Sequence, residues 1–149
     1  MISLWLKRQA AKRVKGEKER MKRRTAREKA LQSLFQIDVS DTEPNEAMQH
    51  ALDGQESDAF FEQLVYGVLE NKEKIDEMIK RHLVNWKLDR LANVDRAILR
   101  LSAYEMIFLE DIPVNVSMNE AIELAKQFGD DKSAKFVNGV LSNIKSDLE

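Results

Sequence analysis

The stretch that decides the fold is "NVDRAILRLSAYEMIFLE", residues 93–110. Its apolar side chains leave little polar surface on any side of a helix. A helix that is apolar almost all round is packed by other helices on several sides, so we predict that this segment is the central helix of the protein. Asn93 is its predicted N-cap, and Asp95 falls in the first turn, where a negative charge is favourable.

The segments on either side of this stretch are apolar on one face only, with the spacing of amphipathic helices. We predict helices at about 22–38, 45–52 and 59–84, a bend or break near Asn71, and two more helices separated by Gly129. Predicted N-caps are Asn45, Ser57 or Asp58, a capping box from Ser117 to Glu120, and Asp130 or Asp131 for the last helix. Because no segment alternates with period two, we predict an all-α fold of about six or seven helices.

The composition narrows the class of protein. The chain has 149 residues, of which 43% are hydrophobic and 34% charged, as is typical of one globular domain. It has no cysteine and only two histidines, which excludes disulfides and sulfur-bound zinc. No apolar run is long enough to cross a bilayer, and we find neither a phosphate-binding glycine loop nor a nucleophile elbow. We therefore predict no membrane span, no cofactor, no metal and no enzymatic activity.

Charge is distributed unevenly along the chain. Residues 1–29 hold twelve Lys or Arg and three Glu, a net charge of +9, whereas the other 120 residues carry −11. Such a split predicts a basic arm that meets nucleic acid or another acidic surface; a solvated basic tail is the alternative. We interpret residues 1–20 as a basic N-terminal extension, flexible or helical, and residues 21–149 as the functional domain.

The strongest candidate site is the basic head of the first helix. Lys22, Arg23, Arg24 and Arg27 stand at its start, and Arg23 and Arg27 share a face because they are four residues apart. Guanidinium groups match phosphate bidentately, and free N–H groups at a helix N-terminus also favour phosphate. Phe35, further along the helix, is a candidate platform for an unpaired RNA base; core packing is the alternative.

A second candidate surface is "KQFGDDKSAKFVNG", residues 126–139. It places Lys132 and Lys135 near Phe128 and Phe136, and Phe136 lies off the apolar stripe of the last helix. An aromatic side chain flanked by lysines suggests nucleic-acid binding. A helix turn capped by acids is the alternative, and the spacing does not decide between them.

Trp86 lies in the connector "NWKLDRLANVD", residues 85–95. We predict that its indole fills space between helices as part of the core, because large aromatic side chains are usually mostly buried. Stacking on a nucleic-acid base is the alternative.

Three blocks of sequence carry a family resemblance. They are "RRTAREKALQSLF" (23–35), "NVDRAILRLSAYEM" (93–106) and "IPVNVSMNEAIELAKQFGDDKSAKFVNGVL" (112–141). In this order they resemble the NusB family of transcription antitermination factors, from Met21 to about the end of the chain. The resemblance implies two three-helix bundles packed across each other. Residues 1–20 have no counterpart.

The resemblance also implies a function and partners. Proteins of this family bind the boxA sequence of nascent RNA, as a single strand, together with NusE, a protein of the small ribosomal subunit. That complex joins RNA polymerase and other Nus factors and suppresses termination, notably in ribosomal RNA operons. We therefore expect a cytoplasmic RNA-binding protein.

Several residue roles at the first helix follow from the resemblance. The arginine-rich start of that helix contacts RNA in the family, which implies RNA contacts for Arg23, Arg24 and Arg27. The family's aromatic position falls on Phe35. Thr25 replaces an arginine of some relatives, so one phosphate contact is expected to be missing.

The resemblance assigns a second group of residues at the other end of the fold. Asp95 matches an acidic position near the partner and RNA surface. Phe128, Lys135 and Phe136 match a second RNA-facing patch. Lys132 stands where some members have an acid, which should strengthen the attraction for phosphate. We expect this patch and the basic head to form one groove.

Three alternative functions remain. The same helical fold resembles an accessory domain of some ribosomal RNA methyltransferases. "IELAKQFGDDKSAKFVNGVL" superficially has the turn of a helix-turn-helix DNA-binding protein. A helical scaffold without RNA preference is the third.

Overall fold

The computed structural model describes residues 21–149, so the predictions for residues 1–20 lie outside the described residues. Between Met21 and Glu149 the chain forms seven α-helices and no β-strand. They are α1 (Arg23–Ser40), α2 (Pro44–Leu52), α3 (Ala59–Glu70), α4 (Lys72–Arg81), α5 (Asn93–Phe108), α6 (Val114–Phe128) and α7 (Ser133–Leu148). A short 3-10 turn, Leu88–Arg90, precedes α5. The all-α prediction is confirmed.

The helices form two three-helix bundles, as expected. In the first, α2 and α3 both pack on α1; in the second, α5, α6 and α7 pack on one another. The remaining helix, α4, lies against α5 and α7. Helix α5 contacts both bundles, and ten of its 16 residues are buried. The prediction of a central helix is therefore confirmed.

Two helix boundaries lie where the sequence predicted them. Asp58 caps α3, because its carboxylate accepts hydrogen bonds from the backbone N–H groups of Phe60 (3.1 Å) and Phe61 (3.4 Å). The predicted break near Asn71 is also present. Asn71 separates α3 from α4, and its side-chain amide donates to the carbonyl oxygen of Gly67 at 2.8 Å.

The predicted asparagine caps are wrong. Asn45 lies inside α2, whose cap is Glu43, and its side chain accepts a 2.6 Å hydrogen bond from the Tyr66 hydroxyl. Asn93 is the first residue of α5, after the capping position, and accepts from Arg96 at 2.6 Å. Asn45 thus binds a side chain on another helix and Asn93 binds one on its own helix, so neither amide accepts a hydrogen bond from the free backbone N–H groups.

The predicted capping box from Ser117 to Glu120 is also wrong. Helix α6 already begins at Val114, so both residues lie inside it. The Ser117 hydroxyl donates to Glu105 on α5 at 2.9 Å, and the Glu120 carboxylate binds Arg24 on α1. These two side chains connect helices and do not cap one.

The prediction that Trp86 is part of the core is wrong as well. Its indole is 58% exposed, whereas Leu88, two residues later, is buried. Asn85 between Val84 and Trp86 has a left-handed backbone (φ 66°), a conformation that asparagine tolerates better than most residues. The connector thus turns so that Leu88 enters the core and Trp86 faces solvent.

The close packing of Gly67 against Tyr104 predicts a stability difference between substitutions at two glycines. A Cβ on Gly67 of α3 would overlap the ring of Tyr104 on α5, so we expect Gly67→Ala to lower the free energy of unfolding by about 1–3 kcal/mol. A Cβ on Gly139, in α7, would meet no atom within 4 Å. Gly139→Ala should therefore raise the free energy of unfolding by about 0.5–1 kcal/mol, because alanine favours a helix more than glycine does. Urea unfolding followed by circular dichroism measures both; equal effects would contradict the close packing.

Candidate nucleic-acid interface

The start of α1 concentrates positive charge without local compensation. No acidic residue lies in its first turn, and Lys22 at the capping position makes no side-chain cap bond. Cations at a helix N-terminus are unfavourable because of the helix dipole. Carboxylates on the other bundle, and one aromatic ring, hold the arginines in place.

Arg27 is buried, with 4% of its surface exposed. Its Nη2 and Nε lie 2.8 and 2.9 Å from the two carboxylate oxygens of Glu105, and Ser117 donates to the same carboxylate. This cluster joins α1, α5 and α6. Because its guanidinium is enclosed and already paired, Arg27 has a structural role in this arrangement, while its predicted RNA contact stays a prediction.

Arg24 is exposed but also paired with an acid. Its Nε and Nη2 donate to the two oxygens of Glu120 at 3.2 and 2.8 Å, and Arg27 Nη1 lies 3.8 Å from the same carboxylate. The hydrogen bond from Arg24, together with the charges of both arginines, outweighs burial and holds the pKa of Glu120 below its ordinary value. Glu120 is therefore ionised and shields Arg24.

Lys22 and Arg23 are exposed like Arg24, but neither pairs with a carboxylate of residues 21–149. The Arg23 guanidinium lies over the Phe60 ring, 4.1 Å from its centroid, and that of Arg27 is 5.4 Å from the same ring. The predicted shared face is thus confirmed. Sequence reasoning missed Phe60, which orients Arg23 through a cation–π contact.

Phe35 lies two turns after Arg27 on α1 and is half-buried. Part of its ring is therefore accessible. It is neither a fully buried residue nor one of the partly buried side chains that pack against the core, and its role as a platform for an RNA base stays a prediction.

The α6–α7 corner presents the second predicted group. Lys132 and Lys135 are exposed, while Phe128 and Phe136 pack partly against the core. The Asp130 carboxylate accepts from the backbone N–H of Lys132 at 2.8 Å. Helix α7 begins at Ser133, later than predicted.

Asp95 joins this corner from α5. It is buried, with 9% of its surface exposed, and its Oδ1 has no hydrogen-bond partner among residues 21–149. Burial, and secondly the negative charge of Asp130, raises its pKa, although a hydrogen bond from Ser133 opposes the shift. The fold thus brings Asp95 next to the lysine-bearing corner, with an unused acceptor oxygen.

A pocket with largely acidic walls extends from Arg24 of the basic head to Lys126, the first residue of the second candidate surface. It is lined by Arg24, Glu28, Glu120, Glu123, Leu124, Lys126 and Gln127, and encloses about 220 Å³. Of the predicted RNA contacts, Arg24 alone lines this pocket, so the prediction that the basic head and the corner form one groove stays a prediction. The pocket is more acidic than expected, because three carboxylates line it.

Within residues 21–149, no group of three or more His, Asp or Glu side chains is placed to hold a metal ion. None of the helices in this part combines the length and the apolar character needed to span a membrane.

The fold and the site together define a class: an all-helical protein of two three-helix bundles with exposed cations at the head of α1 and at the α6–α7 corner. The chain belongs to the NusB family, whose model matches residues 24–146.

Curated relatives agree with this assignment. The transcription antitermination protein NusB of Bacillus licheniformis is 98% identical over 129 residues, which cover 87% of this chain and 100% of the relative. The protein of the same name from Bacillus subtilis is 78% identical over 129 residues, covering 87% and 98% of the two chains.

Solved structures are similar over most of the chain. NusB of T. maritima is 38% identical with a TM-score of 0.78, covering 85% of this chain and 92% of that one. A structure of the antitermination factors NusB and NusE in complex with dsRNA matches at 32% identity and a TM-score of 0.76, covering 84% and 96%. Both share the fold described above.

The buried ion pair of Arg27 and Glu105 predicts that replacing Arg27 lowers the stability of the fold. Removing one partner leaves the other charge buried, so Arg27→Ala should lower the free energy of unfolding by about 3–5 kcal/mol. Arg23→Ala, at an exposed arginine of the same helix face, is the control and should change it far less. Urea unfolding of both variants measures the difference; similar values would show that the pair does not stabilise the fold.

The carboxylate of Asp95 predicts a pH-dependent stability effect. Because its pKa is raised in the folded state, the stability it contributes is present in acid and is lost as the pH rises through that pKa. Asp95→Asn removes the buried charge and should raise the melting temperature at neutral pH. The gain should shrink as the pH falls to about 4, because the raised pKa leaves more of the wild-type carboxyl protonated there than in an ordinary aspartate. Thermal unfolding at both pH values tests this, and a lower melting temperature at neutral pH would contradict it.

Proposed function

We propose that this chain is a transcription antitermination factor that binds boxA RNA together with NusE. The observation that carries the proposal is the 98% identity to the transcription antitermination protein NusB of Bacillus licheniformis over the whole length of that relative. The similarity to NusB in the complex of NusB, NusE and dsRNA supports RNA and NusE as partners.

Electrostatic attraction supplies most of the affinity in this proposal. Lys22, Arg23, Lys132 and Lys135 are exposed, and each neutralises a phosphate of the RNA backbone. Because the pocket between these two groups of cations is acidic, we expect the RNA backbone to follow its rim. Phosphate contacts fix the position of the RNA on the protein and carry little information about its base sequence.

Base contacts supply the preference for boxA. The half-buried rings of Phe35, Phe128 and Phe136 offer edges and faces to unpaired bases, and single-stranded RNA is commonly read by such stacking. The free Oδ1 of Asp95 is an acceptor for a donor group of NusE or of the RNA. We infer that the chain acts by binding, without catalysis, on nascent RNA in the cytoplasm and in complex with RNA polymerase and other Nus factors.

The helix-turn-helix alternative is disfavoured by the position of α7. A recognition helix exposes the side chains that read bases. Here α7 contributes Val137, Val140, Leu141 and Ile144 to the core, and its exposed residues are mixed in charge.

The proposal is tested by titrating a boxA RNA with the full chain, with and without NusE, at several salt concentrations. Four neutralised phosphates predict that log K falls with log salt at a slope of about −3 for a single strand. NusE should strengthen binding. Absence of a salt slope, or equal affinity for boxA and scrambled RNA in the presence of NusE, would refute the proposal.

Two variants in the same titration distinguish the contributions of Arg23 and Arg24 to RNA binding. Arg23→Ala should weaken binding and make the slope shallower by about 0.7, whereas Glu120→Gln should strengthen binding because it releases Arg24. Lys72→Ala removes an exposed lysine of α4 outside the site and should change neither quantity.

A further inference from the structure

A large cavity lies at the opposite end of α1 from the basic head. The end of α1, helix α4, the 3-10 turn and the start of α5 surround it, and it encloses about 700 Å³. Sites for small organic ligands enclose about 300–1,000 Å³, so its size suits a nucleotide unit. Trp86 stands at its edge, 58% exposed.

Three ion pairs among four side chains form the floor of the cavity. Arg96 binds Asp38 at 2.8 Å, and Arg100 binds Asp76 at 2.8 Å and Asp38 at 3.3 Å. Burial alone would raise the pKa of Asp38, but the hydrogen bond and charge of Arg96 and the charge of Arg100 outweigh it and lower the pKa. These four charges therefore neutralise one another and form a rigid surface.

The uncompensated charge of the cavity is positive. Lys80 and Lys87 line it and are exposed, and neither ammonium pairs with a carboxylate in the described part of the chain. Asp89 is the remaining lining acid. An exposed indole with two free ammonium groups beside it has the chemistry of a base-stacking, phosphate-binding site.

Two residues of the cavity are close in sequence to residues of the proposed RNA site. Asp38, in its floor, follows Phe35 by three residues on α1, so the two occupy neighbouring positions on one helix face. Arg96, also in its floor, directly follows Asp95 on α5. An RNA strand that passes Phe35 therefore reaches the cavity within about one helical turn.

We propose that this cavity is a second RNA-binding site, in which a base stacks on Trp86 and Lys80 and Lys87 bind the adjacent phosphates. The inference rests on the proposed function, because it extends the path of the same RNA strand. RNA is favoured over a protein partner because seven of the ten lining residues are charged, even though Val39 (47%) and Val84 (71%) are exposed next to lining segments.

The test measures anisotropy of a labelled single-stranded RNA that carries boxA with about ten further nucleotides on each side, with NusE present. Trp86→Ala should weaken binding about tenfold, the usual size of one base–aromatic stack, and Trp86→Phe should keep most of the affinity. Val84→Ala is the matched control and should have no effect. Replacing both Lys80 and Lys87 by Gln should make the salt slope shallower by about 1.4.

A second measurement follows the fluorescence emission of the Trp86 indole. Trp5 and Trp86 are the two tryptophans of the chain, so in a Trp5→Phe background the emission reports on Trp86 alone. The RNA should quench this emission in the absence of NusE. Circular dichroism of each variant checks that the helices remain folded, which we expect because Trp86 is exposed.

The outcomes separate this inference from the proposed function. If Arg23→Ala weakens RNA binding but Trp86→Ala does not and the emission is unchanged, the cavity is not an RNA site while the proposed function stands. If Trp86→Ala weakens the binding of NusE in the absence of RNA, the cavity is a protein-docking surface and the inference is wrong. If the wild-type chain with NusE does not bind boxA RNA, both fail.

Discussion

The buried pair of Arg27 and Glu105 is the constraint on which the rest of the structure depends. It places a full positive charge from the first helix inside the protein, where only a carboxylate in hydrogen-bonding contact makes burial tolerable. Ser117 donates to the same carboxylate and adds α6 to the pair. The angle at which α1 crosses α5 is thereby restricted, because any sliding of the helix would leave a charge unpaired. The placement of α1 across α5 in turn sets the directions in which Arg23 and Arg24 project.

Helical periodicity was sufficient to predict most of the fold. The number of helices, the central position of residues 93–110 and the break at Asn71 all follow from local spacing of apolar side chains. Two of the wrongly predicted caps share one physical cause. Asn45 and Ser117 are residues that commonly cap helices, but here a partner on another helix binds the side chain. Sequence spacing does not reveal such a partner.

The candidate site was less predictable because its charges are distributed by tertiary contacts. Arg23 and Arg27 are equivalent in sequence terms, yet one is exposed on Phe60 and the other is enclosed with Glu105, 78 residues away. Neither Phe60 nor Glu105 carries a local signal for its role. Trp86 shows the reverse case: its size predicts burial, but a left-handed residue before it directs the chain so that the indole stays outside.

The salt bridge between Glu120 and Arg24 has a consequence for selectivity. Glu120 is a counterion built into the protein, and an incoming phosphate has to exchange with it before Arg24 becomes available. A free nucleotide or inorganic phosphate offers a single such exchange and gains little from it. A polymer that has already bound the neighbouring cations makes the exchange within one molecule, at high effective concentration. In the proposed function, the internal counterion thus disfavours small anions such as inorganic phosphate and favours chains of linked phosphates.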